Sequence, residues 1–338
     1  MPPESQLAAK KHKKAIHRIH RFLFICGICG WFLCIFWLLP AVSVVITTYN
    51  RSGLLPRAIE SALNAGTDLE VIVVDDCSND DTPEVCAHIP GIRYVRLDVN
   101  GGLANARNVG IAESSSKFIA FLDDDDLRLP GSLDHQLRAI TVDESLALCY
   151  GQALIGDARR QLPTGELYPL NCPQGDIFWE LLEDNFIPMP SVLLRKSSLL
   201  DAGGFNTDFD LSADWDMWLR LSERSPVTAI ARPVAIYRKA NAGSMQMCSN
   251  SPALCKQSLQ VQQSALNRPR ARAGTSKQRR DAQRKFRYRV YDILMTEATN
   301  SIHEGNPETA RANMWDAMRY CPFRTIATGR LFWLLMQR

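Results

Sequence analysis

The 338-residue chain lacks the features that mark several common protein classes. Its ten cysteines show no paired spacing apart from Cys26-Gly-Ile-Cys29, which lies among Phe, Ile and Trp with no second pair after it. A disulfide scaffold is therefore excluded, a zinc or redox site is disfavoured, and thiols without paired spacing fit a reducing compartment. No GxGxxG or GxxxxGKS motif follows the first predicted strand, so the usual phosphate-binding loops are excluded as well.

The net charge of +3 conceals a strong asymmetry along the chain. Residues 41–250 carry 17 Lys/Arg against 29 Asp/Glu, a net of −12, whereas residues 251–338 carry 16 against 6, a net of +10. Residues 1–40 carry six against one, a net of +5. The strongest basic run, residues 268–289, has ten Lys/Arg against one Asp. We interpret that run as a long solvated helix near anionic lipid rather than a nucleic-acid site.

An apolar segment near the N-terminus predicts attachment to a membrane. Residues 22–39, FLFICGICGWFLCIFWLL, contain no charge and follow the basic stretch KKHKKAIHRIHR. No A-x-A site follows, which disfavours a cleaved signal peptide. A helix spanning in the usual direction would place the body across the membrane, but cysteines without paired spacing suit the cytosol. We therefore expect a membrane-associated protein whose body faces the cytoplasm, with a Golgi-like lumenal placement as the alternative.

Strand and helix patterns alternate through residues 41–130. Four runs predict strands: VSVVIT (42–47) and LEVIVVDD (69–76), which have the continuous apolar pattern of strands buried on both faces, then IRYVRL (92–97) and FIAFLDD (118–124). Helical patterns lie between them, at residues 53–64, 80–88 and 103–114. This alternation predicts an α/β fold with a Rossmann-like, mostly parallel sheet, right-handed crossovers and helices on both faces.

Unusual polar residues follow the carboxyl end of each predicted strand. In chain order they are Thr47 to Asn50, Asp75-Asp76, Asn100 to Gly102, and the four consecutive aspartates Asp123 to Asp126. Ligands of such sheets bind beyond this edge. Because adjacent carboxylates repel and no phosphate loop is present, we expect a divalent cation with a bound diphosphate to supply the counter-charge, and carboxylates suit Mg²⁺ or Mn²⁺.

Four segments in this order and spacing resemble the nucleotide-sugar half of the inverting family 2 glycosyltransferases, which have a GT-A type fold: VSVVITTYNRSGLLPRAIES, VIVVDDCSNDDT, NGGLANARNVGI and FIAFLDDDDLRLP. GGFNTDFDLSADWDMWLRLSE (203–223), followed by Pro233 and Tyr237-Arg238, is similar to that family's acceptor half. The resemblance covers residues 41–245. It implies a nucleotide-sugar half (41–130) and an acceptor half (131–245). Charge and hydropathy add a basic flank and membrane segment (1–40) before them and a basic helical C-terminal region (246–338) after them.

The resemblance also implies where the donor would bind. Asp76 would accept a hydrogen bond from the nucleobase, in a pocket lined by Thr47 and Tyr49, while Arg107 would lie toward the nucleotide. The full set of residues expected at the nucleotide sugar is Thr47, Tyr49, Asp75, Asp76, Arg107, Asp123 and Asp124.

The metal and the catalytic base are implied in the same way. Asp123 and Asp125 match the family's metal motif, with Asp125 as the expected direct ligand of Mg²⁺ or Mn²⁺. Asp126 is expected to cap a helix or to support the ligands from behind. The family's acidic dipeptide before Trp is here Ala213-Asp214, so the first acid is missing and Asp214 is the expected base.

The implied reaction moves a sugar from a nucleotide diphosphate sugar, expected to be a UDP-sugar, to a glycan, lipid-linked or other hydroxyl acceptor, with inversion and metal assistance, as in polysaccharide biosynthesis. Membrane lipid is an expected partner and nucleic acid is not.

A sugar-1-phosphate nucleotidylyltransferase is one alternative function, although TTYNRSG (47–53) does not match its glycine-rich basic loop. A non-catalytic nucleotide-sugar-binding module on a membrane is the other, suggested by the missing acid at Ala213.

Overall fold

A computed structural model of the protein describes residues 39–157, 162–238 and 251–324. Apart from Leu39, the predicted membrane segment at residues 22–39 lies outside the described residues. Within the described ranges, no helix has both the length and the apolar character needed to cross a bilayer. The compact unit that contains the sheet begins at Ala41.

The four runs form neighbouring parallel strands, as predicted; numbered along the chain, they lie side by side in the order third, second, first, fourth. The strands are β1 (Val42–Thr48), β2 (Leu69–Asp75), β3 (Ile92–Arg96) and β4 (Phe118–Asp123). The predicted helices connect them as α1 (Leu55–Leu63), α2 (Thr82–His88) and α3 (Leu103–Glu113). Because all four strands run the same way, their carboxyl ends meet at one edge.

Helices cover both faces of this part of the sheet. Successive side chains of β1 point to opposite faces, so Val44 packs with Ile59 of α1 while Val45 packs with Ile111 of α3. A side chain at Gly110 would collide with Val45, which shows how closely α3 lies against β1. Burial on both faces explains why β1, β2 and β4 are almost continuously apolar, whereas the edge strand β3 is only partly buried and carries Arg93 and Arg96.

The sheet as a whole is mixed, so the prediction of a mostly parallel sheet is wrong beyond β4. Among the described strands, four of the eight pairings are antiparallel. The connection between β6 and β7 is too short for a crossover, so these two strands can pair only in antiparallel. The remaining strands are β5 (Leu127–Arg128), β6 (Leu148–Gly156), β7 (Pro163–Tyr168), β8 (Val192–Arg195) and β9 (Val227–Arg238).

Four helices accompany these strands: α4 (Ser132–Ile140), α5 (Phe178–Glu183), α6 (Lys196–Asp201) and α7 (Ala213–Ser222). The block that resembles the acceptor half forms α7 and the 3-10 turn before it, Thr207–Ser212. Trp215 and Trp218 of α7 are fully buried, and each indole N–H donates to a backbone carbonyl, at Leu181 and Ile187. These tryptophans fix α7 in the core and thereby orient the polar residue at its start.

The C-terminal region is helical and packs on the same body. Its helices are α8 (Ser251–Leu266), α9 (Pro269–Ala273), α10 (Ser276–His303) and α11 (Pro307–Tyr320). Helices α10 and α11 form a hairpin whose turn is made by Gly305, with a positive φ of 77°, and by Asn306, whose side chain accepts a hydrogen bond from Thr309 N at the start of α11. Phe286 of α10 stacks 4.7 Å from Trp215, which joins this region to α7.

Candidate active site

A cleft of about 580 Å³ lies at the carboxyl ends of β1, β2 and β4. Its other lining residues lie within residues 131–238, so the nucleotide-sugar half and the acceptor half both contribute to the cleft. The structure brings eight of the predicted site residues together in its lining: Thr47, Tyr49, Asp76, Arg107, Asp123, Asp124, Asp125 and Asp214.

Asp75 is the predicted nucleotide-side residue that does not reach the cleft. It is completely buried and accepts hydrogen bonds from Ser78 N (2.8 Å) and from the Tyr94 hydroxyl (2.5 Å). Its carboxylate therefore shapes the turn after β2 and anchors β3. A contact with the nucleotide itself would need a movement of this turn.

Asp76, the next residue, does face the cleft and is held by the loop before α3. Gly101 N and Gly102 N donate to its two carboxylate oxygens at 2.7 and 2.9 Å. Burial raises the pKa of Asp76 above its usual value, the two N–H groups oppose that shift, and the nearby carboxylate of Asp210 adds to it. The loop thus fixes the orientation of an acceptor group at the base of the cleft.

Three arginines supply counter-charge to the aspartates at the end of β4. Arg51 donates to Asp124 at 2.9 Å and to Asp125 at 3.0 Å. Arg107 donates to Asp123 at 2.8 Å. Arg238, from the end of β9, reaches Asp125 at 2.7 Å. The repulsion expected among four adjacent carboxylates is therefore relieved within the protein itself.

Burial raises the pKa of two aspartates in this cluster. Burial raises the pKa of Asp124 to about 7, against the opposing effects of Arg51 and of the Thr48 hydroxyl, which donates at 2.8 Å. The pKa of Asp126 is raised well above its usual value by burial and by the carboxylates of Asp125 and Asp123. Its Oδ2 atom is buried without a hydrogen-bond partner, consistent with a neutral carboxyl.

Asp126 does not cap a helix, so that part of the prediction is wrong. Its Oδ1 atom accepts a hydrogen bond from the backbone N–H of Arg238 at 2.8 Å, and the next helix, α4, begins after Gly131. The bond holds the end of β9 beneath the β4 turn. Asp126 therefore supports the pairing of Arg238 with Asp125 from behind, which is the other role expected for it.

Asp214 projects from the start of α7 into the cleft and is half-buried. Its carboxylate accepts hydrogen bonds from Trp215 N (2.7 Å) and from the Asn185 side-chain amide (3.2 Å). Burial raises the pKa of Asp214 above its usual value, and the positive charge of Arg107 opposes that shift. A carboxylate with a raised pKa, exposed to a cleft, suits a general base.

Two further aspartates near Asp214 have other partners. Asp216 is buried and paired with Arg220 (2.8 Å) and Arg268 (2.6 Å), so its charge is used to attach the C-terminal region to α7. Asp210 lines the cleft, and its Oδ1 atom accepts a hydrogen bond from Ala104 N at the first turn of α3 (2.7 Å).

Comparisons with known proteins agree with this geometry. The family model for "Glycosyl transferase family 2" matches residues 43–200. An uncharacterized protein from Mycobacterium tuberculosis is 30% identical over 215 residues, which are 59% of this chain and 67% of that protein. The succinoglycan biosynthesis protein ExoO from Rhizobium meliloti is 46% identical over 97 residues, 28% of each chain. The chain belongs to glycosyl transferase family 2.

Solved structures show that this family 2 chain has the GT-A type fold. The mannosyltransferase PcManGT from Pyrobaculum calidifontis, in complex with GDP-Man and Mn²⁺, superposes with a TM-score of 0.54 at 17% identity, covering 88% of this chain and 81% of that one. TarS from S. aureus in complex with UDP-GlcNAc gives 0.51 at 17% identity, covering 81% and 90%. The aligned region spans only 28% of the length of ExoO.

The family 2 resemblance implies a divalent metal, and the residues present fit a hard ion. Asp123 and Asp125 both line the cleft and offer only oxygen ligands, which Mg²⁺ and Mn²⁺ prefer. The Asp123 side chain is 25% exposed, whereas that of Asp125 is 5% exposed and faces two arginines. The described residues contain no group of three or more potential metal ligands, so substrate phosphates would have to complete the coordination, as is usual for Mg²⁺.

The sequence reasoning missed several residues of this glycosyltransferase cleft. Arg51 lies three residues after β1, at the edge where ligands bind, so its place in the cleft could have been predicted from the sequence. Asn185 and Tyr168 come from a part of the chain without a recognised motif; the Tyr168 hydroxyl donates to the Asn185 carbonyl at 3.0 Å. Arg238 was noted only as part of a motif, because its contact with Asp125 joins residues 113 positions apart.

Proposed function

We propose that this family 2 glycosyltransferase moves a sugar from a nucleotide diphosphate sugar, a UDP-sugar in our assignment, to an acceptor hydroxyl with inversion. The observation that carries the proposal is the placement of Asp214 across one cleft from Asp76 and the β4 aspartates. The cleft volume of about 580 Å³ lies in the ordinary range for sites that enclose small ligands.

The nucleoside would occupy the side of the cleft formed by β1 and β2. Tyr49 is 41% exposed and lies beside Thr47, which suits a ring that stacks on a nucleobase. Asp76 is fixed by two backbone N–H groups, and its remaining lone pairs can accept the N–H of a uracil. This chemistry favours a base that presents an N–H, and the complex of TarS with UDP-GlcNAc is compatible with the same choice.

The diphosphate would lie toward the β4 turn, beside Arg51 and Arg107. Both guanidinium groups line the cleft while paired with aspartates, so they are held in place before any ligand arrives. Mg²⁺ or Mn²⁺ held by Asp123 and Asp125 would offset the charge on the departing diphosphate. The named complex of PcManGT with GDP-Man and Mn²⁺ supports the choice of ion.

Asp214 would act as the general base. Its carboxylate takes the proton of the acceptor hydroxyl while that oxygen forms a bond to the anomeric carbon from the face opposite the diphosphate. The bond from the anomeric carbon to the diphosphate oxygen breaks, and its electron pair leaves with the diphosphate. One displacement inverts the configuration. The Asn185 amide, 3.2 Å from Asp214, keeps the carboxylate aimed into the cleft.

We propose a glycan or lipid-linked acceptor in polysaccharide biosynthesis, a role that the name of ExoO supports by analogy. We also propose that residues 22–39 attach the protein to a membrane and that the catalytic body faces the cytoplasm. Protease protection in sealed vesicles tests the orientation. If the body around Asp125 is cleaved only from the side opposite the cytoplasm, the lumenal alternative replaces this proposal.

A thermal-shift screen of nucleotides and nucleotide sugars, with and without Mn²⁺, tests the proposed donor. We expect UDP and UDP-sugars to raise the melting temperature in a Mn²⁺-dependent way, and ADP to do so far less. Slow hydrolysis of the preferred UDP-sugar would then separate an enzyme from a binding module. Stabilisation without any hydrolysis would favour the module, and no response to any nucleotide would contradict the proposed function.

A further inference from the structure

Seven of the ten basic residues of the run 268–289 fall into two groups in the structure. One group attaches the C-terminal region to acidic side chains of the body. Lys285 pairs with Glu183 at 2.8 Å, Arg289 pairs with Asp184 at 2.7 Å, and Arg268 pairs with Asp216 at 2.6 Å. These cations have an internal explanation, since each neutralises a carboxylate of the acidic body.

The other group has no such explanation. Lys277, Arg280, Arg284 and Arg287 follow one another on α10 at spacings of three, four and three residues. At about 100° per residue these positions fall within roughly 80° of the helix circumference, and they extend over about 15 Å of its length. All four are exposed. We name this row the basic stripe.

Three of the four cations of the basic stripe lack a charged partner within the described part of the chain. Arg284 pairs with Asp281 at 2.9 Å, but Lys277, Arg280 and Arg287 form no hydrogen bond or ion pair with any described residue. Like charges three or four residues apart on a helix repel one another. The stripe therefore carries a small energetic cost in the free protein, and an external polyanion would remove it.

We infer that the basic stripe docks on an anionic phospholipid surface. A straight row of cations on a convex helix matches a plane of headgroups, and each Lys or Arg near such a surface contributes to binding. A nucleic acid fits less well. Tyr288, the aromatic residue beside the stripe, is covered by the Arg324 guanidinium at 4.6 Å and offers no free ring for stacking on bases.

This inference adds a second membrane contact to the proposed attachment through residues 22–39, and it does not depend on sugar transfer. The two contacts have different chemistry. Insertion of an apolar segment needs no lipid charge, whereas the stripe responds only to anionic headgroups and weakens with salt. Neutral and anionic vesicles therefore report the two contacts separately.

The test uses the full chain and two variants that lose the same charge. The stripe variant is Lys277→Gln/Arg280→Gln/Arg287→Gln, and the control is Lys117→Gln/Arg138→Gln/Arg232→Gln, which removes three exposed cations from the body. Partition is measured on phosphatidylcholine vesicles and on vesicles with a third of the lipid replaced by phosphatidylglycerol. On anionic vesicles the stripe variant should bind more weakly by a factor on the order of 10², and the control should bind like the parent.

Two additional measurements keep the outcomes distinct. Arg280→Lys/Arg287→Lys should retain anionic-vesicle binding, because charge rather than shape is recognised. Equal partition of the stripe variant and the control on anionic vesicles would overturn the inference. So would a stripe variant that loses binding to a single-stranded oligonucleotide while its vesicle partition is unchanged. Weak partition of every protein on neutral vesicles would instead contradict the attachment through residues 22–39.

Discussion

The cleft has two acidic walls, and the carboxylates of the two walls have different kinds of hydrogen-bond partner. On the β4 wall, Asp123 to Asp126 meet the guanidinium groups of Arg51, Arg107 and Arg238. On the α7 wall, the described groups within hydrogen-bond distance of Asp214 are neutral: the Asn185 amide and the Trp215 N–H. Charged partners hold the first wall in place. Burial raises the pKa of a cleft-lining aspartate on each wall, Asp124 and Asp214, but of these two only Asp214 has no guanidinium within hydrogen-bond distance among the described residues.

The difference shows how one residue type serves two purposes in a single site. Carboxylates that bind a charged ligand need fixed positions, which ion pairs and backbone hydrogen bonds provide. A carboxylate that accepts a proton needs an environment that disfavours its charge. The four variants below remove one feature of one wall at a time, in order of decreasing expected effect.

Asp214→Asn should have the largest effect. The amide keeps the size and hydrogen bonding of the carboxylate but cannot take a proton, so turnover should fall by a factor on the order of 10² to 10⁴. UDP binding should stay normal. Asp208→Asn is the matched control, because Asp208 is an exposed acid on the turn before α7. Near-normal turnover by Asp214→Asn would assign the role of base to Asp210, which lies on that turn and also lines the cleft.

Asp125→Ala should abolish the contribution of Mn²⁺ to UDP binding. Loss of an outer partner of a metal typically costs 10- to 100-fold in affinity, so loss of a direct ligand should cost on the order of 10²-fold or more. Asp126→Asn is the control, since it keeps the acceptor for Arg238 N. Titration calorimetry with and without Mn²⁺ measures the effect. Asp125→Ala that binds UDP with Mn²⁺ as tightly as the parent would contradict the metal assignment.

Arg51→Gln should destabilise the β4 wall. It leaves two nearly buried carboxylates without their shared cation, and the free energy of unfolding should fall by ~2 kcal/mol, less than the ~3–5 kcal/mol of a fully buried pair because the Arg51 side chain is 17% exposed. Urea denaturation measures the loss, and Arg138→Gln, an exposed arginine, serves as the control. Equal stability of the two variants would show that the counter-charge is supplied elsewhere.

Asn185→Ala should have the smallest effect and a distinctive pH signature. The Asn185 amide lowers the pKa of Asp214, so its removal should raise that pKa further. Turnover is lost as the pH falls through the pKa of the base, and the acid limb of the pH profile should therefore move to higher pH, with a loss of about 2- to 10-fold at neutral pH. A uniform loss without this movement would indicate a structural role only.

The parts that local patterns determine were predictable. Strand patterns predicted β1 to β4 nearly to the residue; the signal is strongest for β1, β2 and β4, because strands buried on both faces are almost continuously apolar. The polar residues after these strands likewise predicted that the β4 aspartates lie at the ligand-binding edge of the sheet. The antiparallel strands were missed because β6, β8 and β9 pair with partners far along the chain. The contact between Asn185 and Asp214 depends on those pairings and on the buried tryptophans of α7, so no local pattern could show it.

The most direct test measures UDP–Mn²⁺ affinity and single-turnover sugar transfer side by side for Asp125→Ala, Asp214→Asn and the double variant. Our account predicts that Asp214→Asn keeps the affinity and loses transfer, that Asp125→Ala loses the Mn²⁺-dependent affinity, and that the double variant binds like Asp125→Ala alone. If both single variants lose affinity and transfer in the same proportion, the two walls do not have separate roles and the account is contradicted.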